Sequence, residues 1–240
     1  VCVAVVGYLL LRLMSSPRIH FLRPRLHDAM RHPVAVTWLM VCLAWLPVVI
    51  ARWPGDFCFD AMFQTGWILP ESAGVPKYWA SINGWHPPLH SLWLGGSIAL
   101  GQTLFHSYSA GLALYTVSQV LVFSWCVSRV VAYAYETGHT AVYVVCLAFA
   151  ALFSGFSVYA TMTTKDVVFS GVLALSALWV YRTVREELPS RPLWLWVFQG
   201  GALFLFSILM RNNALHAYLL FAVVALIAHM VHRFDVRLVF

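Results

Sequence analysis

The side chains able to do chemistry gather in one stretch between two apolar runs, from Asp56-Phe57-Cys58-Phe59-Asp60 to Trp85-His86-Pro87-Pro88-Leu89-His90. Asp56 and Asp60 are four apart. A helix after the Pro54-Gly55 turn would put both on one face, with Gln64 one turn further on. Asp56 then reads either as the cap of that helix or as half of a carboxylate pair. Asp60 sits among Phe57, Phe59, Met62, Phe63 and Trp67, aromatic and apolar residues suited to a membrane surface, and a carboxylate placed there either has a task or is merely solvated. The His86-Pro87-Pro88 element opens an apolar run. Prolines are tolerated there because first-turn N–H groups lack helical partners anyway. His86 and His90 stand at the mouth of that run, where free N–H groups attract phosphate. The alternative is a turn whose histidines snorkel into lipid headgroups. A metal held by His86 and His90 has only two ligands at a proline-disrupted spacing behind it.

Two more polar groups interrupt the apolar runs further along. Thr163-Thr164-Lys165-Asp166 opens a run, with Thr164 as a cap and Asp166 on the helix dipole, or with Lys165 and Asp166 turned to chemistry. Arg211-Asn212-Asn213 is a tight inter-helix turn or a phosphate-binding arginine backed by two amides, since the guanidinium fork suits phosphate.

The elements that must position these groups are membrane helices. The chain has 240 residues, 61% hydrophobic and 10% charged, against about 25% charged in soluble domains. So few charges cannot cover a soluble surface, and the class is an all-α, polytopic transmembrane bundle. Eleven Trp and ten Tyr suit two water–lipid interfaces. The net charge of +6 is scattered over short loops and forms no nucleic-acid stripe. Of Cys2, Cys42, Cys58, Cys126 and Cys146, all but Cys58 lie in apolar runs, which leaves no disulfide framework and no metal-type pair.

In order, residues 1–14 read as the end of a membrane helix and 15–33, with Arg18, Arg23, Arg25 and Arg31, as a cytoplasmic loop. A span at 34–51 leads to an outer loop at 53–87, expected to carry a short amphipathic helix. Apolar runs follow at 89–105, 109–134, 140–160 and 167–181, then the charged segment 182–192, then runs at 193–210 and 214–231. About seven to eight membrane helices are expected by the length rule, in a single domain over 1–240 that is incomplete at one or both ends. If 15–33 and 182–192 are both inside, an odd number of crossings must separate the outer loop from Arg182, yet there are four runs. The run 89–105 is the weakest, which favours three crossings and puts Lys165, Asp166 and Arg211 on the outer side.

Taken together, Pro54-Gly55, Phe59-Asp60, Gln64, His86-Pro87-Pro88-Leu89, Lys165-Asp166 and Arg211-Asn212-Asn213 resemble the GT-C glycosyltransferase superfamily. The likeness runs from about 34 to 231. It is to the protein O-mannosyltransferases and lipid A aminoarabinose transferases, and more closely to bacterial multi-pass glycosyltransferase-like proteins. Two departures are Asp60-Ala61 where the mannosyltransferases have an acidic pair, and His86 where the aminoarabinose enzymes have Lys. The chain is also shorter than most members, and the resemblance implies an N-terminal module.

The resemblance implies a plasma-membrane enzyme that moves a sugar from a polyprenyl-phosphate donor to a glycan, lipid or protein acceptor on the outer face, with inversion. Asp60 would be the catalytic base. His86, Lys165 and Arg211 would hold the donor phosphate, supported by Asp56, Gln64, His90, Asp166, Asn212 and Asn213. A divalent metal shared by Asp60 and Asp166 is a minor option, because some relatives need one. The rival readings are a lipid-linked glycan transporter, for which two matching halves with broken helices are not apparent, and a non-catalytic membrane subunit.

Overall fold

In a computed structural model, the described residues are 30–66, 68, 86–185, 192–220 and 222–223. The first run at 1–14, most of the basic loop, the middle of the outer loop, Glu186 through Arg191 and the tail with His229, His232 and Arg233 lie outside them.

Among the described residues the helices are α1 (Pro33–Ala51), α2 (Phe59–Thr65), α3 (Pro88–Phe105), α4 (Tyr108–Glu136), α5 (Thr140–Leu152), α6 (Ser154–Ala160), α7 (Asp166–Val184) and α8 (Leu193–Met210), and a further helical stretch begins at 214. α1 starts on Pro33, whose missing N–H has no helical partner to lose. Its buried residues Thr37, Val41, Trp45 and Val49 recur every four positions and form one inward stripe. The opposite face carries Leu39, Leu43 and Ile50, each more than half exposed, and α8 does the same with Phe198 and Leu205. Water would penalise such faces; lipid tails would not.

α1, α4, α7 and α8 are long and apolar enough to cross a membrane, and α5 with α6 makes a fifth crossing if the pair, bent by 54°, is one span. The apolar run expected over 140–160 is thus broken at Phe153-Ser154. α3 is not among the candidate crossings; between it and Arg182 the candidates are α4, α7 and, if the bent pair is one span, α5–α6. α4, at 29 residues, is about 44 Å long, against a hydrocarbon core of roughly 30 Å.

Contacts give the directions. α1 runs from Thr37 beside Tyr143 to Trp45, whose Nε1 donates to Ala150 O, and on to Asp56 beside Thr161. α4 descends from the Asp56 end, where Gln119 meets Ala160 O and Met162 O, to Glu136. α7 starts at the Asp56 end, and its far end places Arg182 over the Tyr133 ring of α4. α8 rises from Trp196, bonded to Thr183, to Arg211 beside Asp166.

α3 and α4 turn on His106, which is left-handed at φ 50°, and on Ser107, whose hydroxyl accepts from Ala110 N–H as an N-cap. The helices then press glycine on glycine: a Cβ on Gly101 would lie 2.1 Å from the Gly111 nitrogen. Backbone atoms cannot swing aside as a side chain would. Gly101→Val is therefore expected to separate α3 from α4 and cost about 1–3 kcal/mol. A lowered unfolding temperature in detergent checks this; an unchanged one would mean the hairpin relaxes without loss.

Candidate functional site

The link between α1 and α2 is tied to the link between α6 and α7. Asp56 N–H donates to Thr161 O and Thr163 N–H to Asp56 O, both at 2.9 Å. Cys58 N–H donates to Thr163 Oγ1 at 2.7 Å. Gly55 makes this approach possible. Its φ of +124° suits only glycine, and a Cβ would lie 2.1 Å from Thr116 Oγ1. Arg52 Nε donates to Asp56 Oδ2 at 2.6 Å, and Thr161 Oγ1 donates to the same oxygen at 3.2 Å. This corrects the two expectations for Asp56. It precedes α2, whose N-cap is Cys58, so it neither caps that helix nor shares a helical face with Asp60. Its carboxylate is held by Arg52 and fastens two loops together.

Asp60 lies in the first turn of α2. Its Oδ2 accepts from Lys165 Nζ at 3.3 Å, with the Asp60 side chain 57% exposed and that of Lys165 21%. The exposed positions of α2 are Phe59, Asp60 and Met62, and its inner face is Ala61, Gln64 and Thr65. The next residue, Asp166, opens α7 and pairs with Arg211, whose guanidinium also lies 5.4 Å over the Phe169 ring. Thr164 does not cap α7 as expected: the N-cap is Lys165, without a side-chain capping bond, and Thr164 Oγ1 accepts from Asp166 N–H at 3.4 Å one position further out. Lys165 and Asp166 thus join two ion pairs drawn from three segments. Arg211 presents a guanidinium partly engaged by Asp166 rather than a wholly free fork. Asn212 and Asn213 are exposed in the turn that follows, and Asn213 O accepts from Ala217 N–H.

Beneath this surface runs a buried polar chain. Gln64 lies between two imidazoles, its Oε1 2.6 Å from His90 Nδ1 and its Nε2 3.4 Å from His86 Nδ1. His90 Nε2 is 2.7 Å from Tyr115 Oη, which donates to Gln119 Oε1 at 2.5 Å. Gln119 Nε2 donates to Ala160 O and Met162 O. Both His90 nitrogens are engaged, so the His86–His90 metal pair does not form. No group of three His, Cys, Asp or Glu side chains suited to a metal occurs among the described residues. Asp60 and Asp166 each face a cation rather than each other.

His86 stacks on Phe63, with ring centroids 5.9 Å apart. Burial first, and the Lys165 charge second, push its imidazolium below the ordinary 6.5, while Asp60 pulls the other way. Burial, followed by the Lys165 and His86 charges, pushes His90 down to about 3. An unfolded chain takes up a proton at this residue from pH 6.5 downward, whereas the folded one resists to about 3. Stability from this source is complete above 6.5 and is lost as pH falls through that window. The unfolding temperature in detergent is expected to drop between pH 7 and 4, and less steeply in His90→Gln. Equal slopes would mean that folded His90 accepts the proton.

Tyr115, Gln119, Thr161, Thr163 and Arg52 escaped the sequence reading. Tyr115 and Gln119 left a signal: polar groups four apart inside an apolar run share one face and need partners there. Thr161 and Thr163 left none, because they act on a loop distant in sequence.

Compared with protein-family models, curated proteins and solved structures, the chain matches none. Its functional reading therefore rests on the site itself and on the motifs of its sequence.

Proposed function

We propose that this chain is the membrane module of a GT-C-type glycosyltransferase, moving a sugar from a polyprenyl-phosphate donor to a hydroxyl acceptor at the outer face of the plasma membrane. One observation carries the reading. Asp60, His86, Lys165 and the Asp166–Arg211 pair, from four separate chain segments, lie at one end of a bundle of apolar helices.

A polyprenyl donor keeps its tail in lipid and its phosphate at headgroup depth. Lys165 is the cation in reach of that phosphate, and its exchange from Asp60 to the donor frees the carboxylate. The acceptor O–H then loses its proton to Asp60 as its oxygen attacks the anomeric carbon. The bond from that carbon to the phosphate oxygen breaks, polyprenyl phosphate leaves with the electron pair, and the configuration inverts. Lys165, released from Asp60, stabilises the charge growing on the leaving phosphate. Arg211 contributes through Asp166, which holds the start of α7 and hence Lys165 in place. The seven-to-eight-helix count and an interfacial role for α2, with Phe59 and Met62 facing outward, belong to the same proposal.

The test uses membranes containing the full-length protein and a radiolabelled polyprenyl-phosphate hexose or pentose. Label is expected to move from the lipid donor to an acceptor fraction, with release of polyprenyl phosphate. A donor that crosses to the other leaflet without losing its sugar would instead establish a transporter.

A further inference from the structure

Hydrogen-bond polarity can be followed along the buried chain from Gln119 to the surface. Gln119 Nε2 points both N–H bonds at carbonyls, Ala160 O at 2.9 Å and Met162 O at 2.7 Å. Its Oε1 therefore accepts, and Tyr115 Oη is the donor. A phenol has one proton, so the Tyr115 oxygen can only accept from His90 Nε2. His90 thus carries a proton on Nε2.

His90 Nδ1 faces the Gln64 amide at 2.6 Å. If the amide oxygen occupies that place, His90 needs a second proton and becomes a cation with neutral groups on both nitrogens. If the amide nitrogen occupies it, neutral His90 accepts an N–H and no charge is buried. The two ends of an amide have the same outline, and the surrounding bonds decide between them. His90 is fully buried, and desolvation opposes the cation. The Gln64 nitrogen therefore serves His90, and its oxygen is left for His86 Nδ1, 3.4 Å from the far end of the same amide. His86, kept neutral by burial and Lys165, donates inward from Nδ1. Its Nε2 keeps a lone pair.

We propose that His86 binds a hydroxyl group of the substrate through this unprotonated Nε2 and is not a phosphate ligand. The inference deepens the sugar-transfer reading and rests on it for the identity of the hydroxyl, which belongs to the transferred sugar or the acceptor. A phosphate diester has only acceptor oxygens, and they would face the imidazole lone pair with no proton between. A sugar hydroxyl brings that proton. The Phe63 ring, tilted by 16° to the imidazole, holds the ring plane. Lys165 is left as the phosphate cation, so charge recognition and hydroxyl recognition fall to different side chains.

The test is nitrogen NMR on the full chain, labelled with 15N-histidine in nanodiscs at pH 7, with His86 assigned by its loss in His86→Gln. His86 is expected to show Nδ1 protonated and Nε2 bare. Methyl hexopyranoside should shift Nε2, and inorganic phosphate should leave both nitrogens in place. In Tyr115→Phe, which removes the end of the ordered chain, His86 should relax to a mixture of tautomers. A proton on Nε2 in the native chain, protonation driven by phosphate, or no response to the hexopyranoside up to its solubility limit would each overturn the proposal. None of these measurements uses a lipid donor. A chain that shows the bare Nε2 and the hexopyranoside response but transfers no sugar refutes the transferase reading and leaves this assignment standing.

Discussion

Asp60→Asn is expected to reduce sugar transfer by about 10²–10⁴-fold, the range a positioned general base contributes. The substitution keeps the shape of the side chain and removes its charge, and with it the pair with Lys165 and the ability to take a proton. The fold has little reason to respond. The Asp60 side chain is more than half exposed, it lies in the first turn of a seven-residue helix, and its one named ionic contact is Lys165. The variant should insert, resist detergent unfolding like the parent and keep its apparent KM for the donor, because Lys165 is untouched and no longer shared. The loss should fall on kcat. Measuring both constants with labelled donor decides the role: a kcat within a few-fold of the parent removes Asp60 from the mechanism, and a raised KM with normal kcat makes it a binding group.

Gln119→Leu is expected to give the largest loss of stability among single substitutions at this end of the bundle. Gln119 is fully buried and closes three hydrogen bonds, two to backbone carbonyls at the end of α6 and one from Tyr115. Leucine matches its bulk and satisfies none of them. Met162 O keeps Thr164 N–H, so Ala160 O and the Tyr115 proton are the groups left without a partner, and at roughly 1–3 kcal/mol each a total of about 2–6 kcal/mol is expected. Unfolding temperature in detergent, or protease resistance of the α6–α7 link, reads the effect. Gln119→Glu, isosteric but with an oxygen facing the two carbonyls, should recover part of the loss only as the neutral acid, which can donate to one of them. A Gln119→Leu chain as stable as the parent would mean that water or Thr116 takes over the Ala160 carbonyl.

How much of this was legible in the residues depends on the range of the interaction involved. The helices α1, α4, α7 and α8, long and apolar enough to cross a membrane, follow from runs of apolar residues, because each helix closes its own backbone bonds. The break at His106-Ser107 was visible for the same reason: a capping serine acts within three residues. Phe153-Ser154 was not visible. No Pro or charge marks it, and the bend lets the pair follow α1 and α4. Asp56 was misread as a cap or a helical neighbour of Asp60 because its partners Thr161 and Thr163 stand more than a hundred positions away.

The same division holds for the site. Residue type alone nominated Asp60, His86, Lys165, Asp166 and Arg211, since ionisable groups beside apolar runs are expensive unless they pair or face a headgroup layer. Composition also fixed the solvent: one charged residue in ten cannot clothe a water-facing surface. Who pairs with whom was decided by tertiary structure, through the bond between the Asp56 loop and the Thr161–Thr163 loop. So was the direction of each proton between Gln119 and His86, because a proton's place is set by the acceptors that surround it, and those come from helices brought together only when the chain folds.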